Sequence, residues 1–365
     1  MSVFPHGHLD RSGWKRVRLG DVCKPCRGAR VVRSQLSQGR YLVYQNSLIP
    51  LGHYDKCNVP ADTTFVIAAG SAGEIGYCDE PFWAADDCFF LLPNESVISK
   101  FLYYSLAAQQ QHISGLVRRG SVPRLARDIV GNLVLQLPDI AEQNKIVRAL
   151  TAIDINIATI QSLIAKYDAI KKATVNLLLK PKADWRQVSL GDIGDVLMCK
   201  RILKNQTTEA GDVPFYKIGT FGKTPDSFIT RAVFEDFKTR FSYPKKGDVL
   251  LSAAGTIGRT VVFNGEDAYF QDSNIVWIDN DERIVTNRFL HVLYDQLDWQ
   301  TENGGTVSRL YNANIRNTKI VIPPLTEQKR IVTILDSIDS TINGFKSQLS
   351  KAQGIKKGMM TYFFG

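Results

Sequence analysis

Two short segments pair a glycine with a small hydroxyl residue and an arginine: Gly120-Ser-Val-Pro-Arg-Leu125 and, 185 residues on, Gly305-Thr-Val-Ser-Arg-Leu310. A glycine-led loop of this kind holds a phosphate through backbone N–H groups, with the hydroxyl of Ser121 or Thr306 and the guanidinium of Arg124 or Arg309 adding charge-assisted bonds. Arg118 and Arg119 precede the first copy and Arg127 follows it, whereas Tyr311, Asn312, Asn314 and Arg316 follow the second. The same pattern suits a structural turn that docks a globular body on a helix, so both readings stand.

Catalytic signatures are missing from this chain. Gly219-Thr-Phe-Gly-Lys-Thr224 approaches a phosphate-binding loop, but Lys217 stands where a Walker cradle requires glycine. Asp139 with Glu142-Gln-Asn-Lys145 has nuclease-like residue types at helical spacing, where the metal-dependent chemistry wants them alternating on a strand. There is no Asn-Pro-Pro-Tyr or Asp-Pro-Pro-Tyr segment for a flipped adenine and no Gly-x-Ser-x-Gly elbow. Cys23-Lys-Pro-Cys26 has the spacing of half a zinc site or a redox pair, yet no second pair completes it, so no metal is expected. His6 and His8 sit in a leading tail and are expected to be disordered.

A formal charge of +9 and a pI near 9.2 favour a polyanionic partner. With 44% hydrophobic and 10% aromatic residues, 365 residues suffice for two or three real cores. Nothing resembles a signal peptide or an uninterrupted membrane span, so a cytoplasmic protein with no membrane contact is expected.

The elements that must carry these residues are duplicated. Trp14-Lys-Arg-Val-Arg-Leu-Gly-Asp-Val22 is echoed by Trp185-Arg-Gln-Val-Ser-Leu-Gly-Asp-Ile193 at an offset of 171, while later segments repeat at 185, so 14 residues are inserted within the second half. A duplicated chain implies pseudo-twofold symmetry. From Glu142 to about Leu179, the residues Ile146, Leu150, Ile153, Ile157, Ile160, Ile164 and Tyr167 recur at steps of four and three, the period of a coiled-coil seam. From Glu327 to about Phe363, Ile331, Leu335, Ile338, Ile342, Phe345, Leu349 and Ala352 keep the same spacing. Each helix is about 57 Å long at 1.5 Å per residue, and each is the other's most available partner. Pro138 and Pro323-Pro324 end the preceding strands, leaving Asp139 and Thr326 as caps.

Between these helices lie two bodies. The first, Trp14 to Leu137, has strand-like runs at 41–44, 64–69, 88–92 and 133–137 and a helix over 99–112. The second, Trp185 to Ile322, repeats the order at 213–218, 248–253, 259–263 and 274–278 with a helix over 287–300. Strands outnumber helices without alternating, which reads as α+β. The chain divides into a tail 1–13, a body 14–137, a helix 138–184, a body 185–322 and a helix 323–365.

Two bodies that open on Trp-x-x-Val-x-Leu-Gly-Asp and close on a proline followed by Glu-Gln-x-x-Ile-Val-x-x-Leu-x-x-Ile-Asp resemble the specificity subunit of a type I restriction-modification system. Ile322-Pro-Pro-Leu-Thr-Glu-Gln-Lys-Arg-Ile-Val332 is a near-ideal instance of the signature, and Leu137-Pro-Asp-Ile-Ala-Glu-Gln-Asn-Lys-Ile-Val147 departs from it at Asp139 and Ile140. The resemblance implies two α/β target recognition domains in pseudo-twofold arrangement, joined and separated by an antiparallel coiled coil. It implies a non-catalytic chain without a cofactor of its own that reads bipartite double-stranded DNA. Two adenine methyltransferase subunits, which use S-adenosylmethionine, and motor-nuclease subunits are the implied partners. It also implies that the segment around Trp14 packs near the far end of the second long helix.

On that reading base edges are contacted from body loops: Arg27, Arg30, Arg33, Tyr44, Gln45 and Asn46 in the first body, and Lys200, Arg201, Lys217, Thr220 and Lys223 in the second. Arg118, Arg119, Arg124 and Arg309 are expected on phosphates. Glu142, Gln143, Lys145, Arg148, Glu327, Gln328, Lys329 and Arg330 are expected on the helix exteriors that partners cover. The seam from Ile146 to Tyr167 spans about 32 Å, close to one turn of B-DNA at roughly 34 Å, so the helices would act as a ruler between half-sites. Two other readings remain: a coiled-coil scaffold that touches DNA only through charge, and a self-contained nuclease.

Overall fold

The computed structural model describes residues 11–299 and 309–365. Thr306 and most of the second glycine-led segment lie outside the described residues, as do His6 and His8. Two compact units form: one gathers the chain through Ala165 with Gly344–Gly365, the other is Lys166–Asn343. Each therefore contains one body and a part of each long helix.

In the first unit the opening strand Lys15–Arg18 pairs antiparallel with Val134–Leu137, fastening the start of the body to its end. A four-stranded antiparallel sheet follows in the order Cys23–Arg27, Cys88–Pro93, Thr63–Ile67, Ile75–Cys78. Thr63–Ile67 is buried at every position, as expected of an apolar run covered on both faces. One cover is the helix Ser99–Ala108, whose Ser99 carbonyl accepts from Thr64 Oγ1 at 2.6 Å. A smaller sheet orders Gly52–Tyr54, Tyr41–Tyr44 and Trp83–Ala84, its last pairing parallel.

The second unit repeats this topology. Arg186–Ser189 pairs with Lys319–Ile322. The larger sheet runs Val196–Leu197, Ile275–Ile278, Val249–Ser252, Thr260–Val262, and the smaller Phe228–Ile229, Val213–Tyr216, Tyr269–Phe270. Most of the residues added in this half form the helix Arg231–Arg240, which has no counterpart in the first body. Thr230 caps it, and its buried Phe234 joins Phe215, Tyr269 and Trp277 in a core cluster. The inserted piece is thus built into the second body's core.

The first long helix runs Ile140–Leu178 and the second Leu325–Phe364. In the first unit Ile146 and Leu150 are buried in one cluster with Met359, and Ile153 and Ile355 pack against it. In the second unit Val175 is buried with Ile331 and Leu335. Lys171 pairs with Asp339 and, further along the first helix's direction, Lys182 pairs with Glu327 earlier in the second, so the helices run antiparallel there. In the first unit Lys356 of the second helix pairs with Asp154 of the first. The expected seam is therefore present, although Ile153, Ile157, Ile164, Tyr167, Ile338, Phe345 and Leu349 are half-buried rather than sealed.

Asp139 caps the first helix, its Oδ1 accepting from Glu142 N at 2.8 Å. The expectation for Thr326 is corrected: it lies inside the first turn, because the residue 185 after Asp139 is Pro324, whose carbonyl instead accepts from the N–H groups of Glu327 and Gln328. The helix expected over 99–112 breaks at Gln109 and restarts as Gln110–Gly115, and that expected over 287–300 ends at Tyr294. The first long helix is apolar enough over one 18-residue window to cross a membrane by composition, but it carries the Asp154 and Lys171 ion pairs and packs along the second long helix. Around Trp14 the expectation is met: Arg11 donates to the carbonyls of Gly365 at 2.8 Å and Tyr362 at 3.1 Å.

Candidate nucleic-acid interface

The first glycine-led segment is sewn to the edge of its own body. Arg124 bridges antiparallel to both Ala69 and Arg118, Gly70 N donates to Pro123 O, and Leu125 N donates to Ala68 O. Gly70 is needed there: it has φ +84°, and a Cβ would fall 2.7 Å from the Asn46 carbonyl oxygen. In the second unit Arg309 bridges to Ala254 and Leu310 N donates to Ala253 O. The described part of each copy thus docks on the residues that follow a strand of the larger sheet, and Leu125 and Leu310 also belong to the core clusters that hold Ile146 and Leu150, and Ile331 and Leu335, of the long helices.

This stitching gathers Arg27, Arg118, Arg124 and Arg127 around one cleft with a volume of about 530 Å³, together with Asp86 and Asp87. Arg27 Nε donates to the Asp86 carbonyl at 2.8 Å. Arg119 and Gly120 turn to a neighbouring hollow with Ser71 and Pro123. Ser121, Arg30 and Arg33 are exposed, the last in a short 3-10 turn.

Tyr44 is a different case. Its ring lies 4.6 Å from Phe65 and 5.4 Å from Phe82, centroid to centroid, and burial, with Cys78 nearby, pushes its hydroxyl up to about 12. It is half-buried and packs against the core cluster that contains Phe65 and Phe82, on the strand face opposite the buried Val43. Gln45 is half-buried and Asn46 exposed beside Gly70.

The basic residues of the second body are largely occupied. Arg201 pairs with Asp272 at 2.8 Å and Lys217 with Asp226 at 3.1 Å. Lys200 lies over the Phe241 ring, and Arg309 Nη2 donates to the Ser273 carbonyl. The Thr220 hydroxyl closes a turn on Lys217, accepting from its N and donating to its O. Lys223 remains exposed at the mouth of a cavity lined by Tyr216, Phe221 and Phe270.

Charge follows the same division. Residues 14–137 carry 14 Lys and Arg against 10 Asp and Glu, whereas residues 185–322 carry 17 of each. Among the described residues no ion pair joins two groups of the first body, while Arg231, Lys238, Arg240, Lys245, Arg283 and Arg316 of the second all have acidic partners.

Of the residues expected on the helix exteriors, two lie inside. Gln143 is fully buried: its Oε1 accepts from Ile98 N at 2.9 Å, and its Nε2 donates to the carbonyls of Ser96 and Pro138, each at 2.9 Å. Gln328 repeats the arrangement with Thr286 N, Ile284 O and Pro323 O. A glutamine has one acceptor and one two-donor end, which is what a loop N–H and two loop carbonyls require. Each therefore pins a body to its own long helix and has no surface for a partner. Lys145, Arg148, Lys329 and Arg330 are exposed. Glu142 pairs with Lys145, and Glu327, held down to about 2 by Arg330 and Lys182, is engaged within the chain.

Cys23 and Cys26 sit on one strand, and burial, with Cys26 close by, pushes the Cys23 thiol up to about 12, far from a reactive thiolate. No cluster of three metal-ligating side chains occurs among the described residues.

The family model described as "Type I restriction modification DNA specificity domain" matches twice, over residues 11–167 and 182–352. A type I restriction enzyme specificity subunit of Haemophilus influenzae is 42% identical over 285 residues, covering 74% of this chain and 72% of the relative. Another, from Methanocaldococcus jannaschii, is 23% identical over 398 residues, covering 97% and 93%. The crystal structure of a type I restriction-modification S subunit from M. genitalium superposes with a TM-score of 0.71 at 16% identity, covering 99% of this chain and 98% of that one, a likeness of fold.

Proposed function

Since this chain belongs to the type I restriction-modification DNA specificity family, we propose that it is the non-catalytic subunit that reads a bipartite DNA target for a methyltransferase and restriction complex. Residues 14–137 and 185–322 are its two target recognition domains, one for each half-site. Two adenine methyltransferase subunits, which use S-adenosylmethionine, perform the chemistry, and motor-nuclease subunits join them, in the cytoplasm. The long helices are the ruler between half-sites and the docking surface, on which Lys145, Arg148, Lys329, Arg330 and the 62% exposed Ile155 are among the exposed side chains.

The observation that carries the reading is the repetition of one device: a body of common topology, a basic loop sewn to the residues that follow a strand of its larger sheet, and a buried glutamine that fixes the body to a long helix. Catalysis needs one convergent site, whereas recognition of two half-sites needs two rigid heads on a fixed support. Phosphate contacts from Arg118 and Arg119 position the first head, and Arg30 and Arg33 reach bases.

The test is a methylation map of DNA exposed to the methyltransferase subunits with and without this chain. Two half-sites separated by a fixed unspecified spacer, methylated only when the chain is present, support the reading. Methylation of the same sites without the chain contradicts it. Salt-sensitive binding without sequence preference would instead favour a coiled-coil scaffold that touches DNA only through charge.

A further inference from the structure

Six charged residues line the first body's cleft: Arg27, Arg118, Arg124, Arg127, Asp86 and Asp87. Among the described residues, none of the four guanidinium groups forms an ion pair with either carboxylate. The Arg27 bond is to the backbone carbonyl of Asp86. A cleft shaped only for phosphate would gain from excluding carboxylates, because they repel the backbone they would face. Donors and anionic acceptors kept apart in one hollow match instead the edge of a base pair that presents both.

In the major groove a G·C pair has that edge. Guanine offers O6 and N7 as acceptors, which a guanidinium meets with two parallel bonds, and cytosine offers N4–H₂, which a carboxylate accepts. We propose that this cleft reads a G·C pair within the first half-site, with Arg124 donating to guanine O6 and N7 and a carboxylate of the Asp86–Asp87 pair accepting from the one free N–H of cytosine N4. The inference rests on the DNA-specificity reading above and narrows it to one base pair.

The second body gives independent support, because its equivalents are spent internally. The residue 185 after Asp87 is Asp272, which Arg201 occupies at 2.8 Å. The residue 185 after Asp86 is Gln271, whose Oε1 accepts from Ile218 N at 2.9 Å. The counterpart of Arg124 is Arg309, which donates to the Ser273 carbonyl at 3.1 Å. Among the described residues, the counterparts of Asp86, Asp87 and Arg124 are thus engaged within the second body, so the two half-sites are read by different chemistry.

The experiment uses the chain assembled with its methyltransferase subunits. Once the methylated motif is mapped, binding competition with duplexes carrying each single base-pair change is measured for the wild type, for Asp86→Asn with Asp87→Asn, and for Arg124→Ala. The wild type should discriminate at least tenfold at a G·C pair in one half-site. Both variants should reduce discrimination at that pair below about threefold while the other half-site is read as before, which also reports that the assembly is intact. Unchanged discrimination, or an equal loss at every position of both half-sites, overturns the inference and leaves the bipartite reading standing. If no sequence-defined motif is methylated, the specificity reading itself fails and the inference falls with it.

Discussion

Lys171 Nζ lies 2.6 Å from Asp339 Oδ1, linking the first long helix to the second. At positions shifted by 185 residues the pair recurs with the helices exchanged, Lys356 Nζ standing 2.6 Å from Asp154 Oδ1. A duplicated seam laid antiparallel generates such a pair twice, once in each unit. Both partners are about a third exposed, so solvent screens the attraction and each pair is worth under about 1 kcal/mol.

Lys171→Glu should therefore lower unfolding stability by about 1 kcal/mol, and combining it with Asp339→Lys should recover most of the loss. Urea titrations of the two single variants and the double variant give the coupling directly. Additive losses would show that the contact contributes no interaction energy.

The buried glutamines hold more. Gln143→Leu keeps the volume but leaves the Ile98 N–H and the carbonyls of Ser96 and Pro138 without the partner they now have. A loss of about 2–4 kcal/mol is expected for this change, and a similar one for Gln328→Leu. Lys145→Ala, on the exposed flank, should fall within about 0.5 kcal/mol of the wild type. Denaturation midpoints that place all three together would contradict the pinning role.

His291 gives the second unit a pH response. Burial lowers its pKa below the usual 6.5, Arg288 and Lys171 push the same way, and Asp295 and Asp339 oppose them. The unfolded chain then binds the proton more readily than the folded one. The stabilisation is fully present above the unfolded pKa and is lost as pH falls through the lowered folded value. Melting of the chain between pH 8 and 5 should show this loss, and His291→Gln should flatten it. An identical pH profile for the variant would assign the response to other groups.

Within the first body, Arg30 and Arg119 should behave differently when replaced by alanine. Arg30→Ala should change the sequence accepted at the first half-site. Arg119→Ala should weaken binding to every sequence and reduce the slope of affinity against salt by about one. Binding titrations at three salt concentrations on cognate and altered duplexes separate the two outcomes. Equal losses on all sequences from both variants would remove Arg30 from base reading.

Much of the architecture was legible because it rests on periodicity. The spacing of Ile146, Leu150 and Ile153, repeated 185 residues later, located both long helices, and alternation with turn residues located most strands of both bodies. Less legible were features that depend on tertiary partners. Nothing local marks Gln143 as buried: a glutamine beside Glu142 reads as surface until the Ser96–Ile98 loop arrives to satisfy it. Tyr44 likewise reads as a polar-tipped loop neighbour, yet Phe65 and Phe82 draw its ring against a core. The helix Arg231–Arg240 was visible only as surplus length, because comparing the halves shows where residues are added and not what they form. Asp86 and Asp87 escaped notice for the same reason, since only the folding of Arg124 against Ala69 brings guanidinium groups to their side.

On the proposed function, this chain sets the interval between two DNA half-sites through the length of its paired helices. Inserting one heptad into each long helix, in register, adds about 10 Å and should lengthen the unspecified spacer by about three base pairs. Mapping the motif methylated by the assembled variant measures it directly. Unchanged half-sites with a spacer longer by about that amount are the predicted result, and the same half-sites at the original spacing would contradict the account.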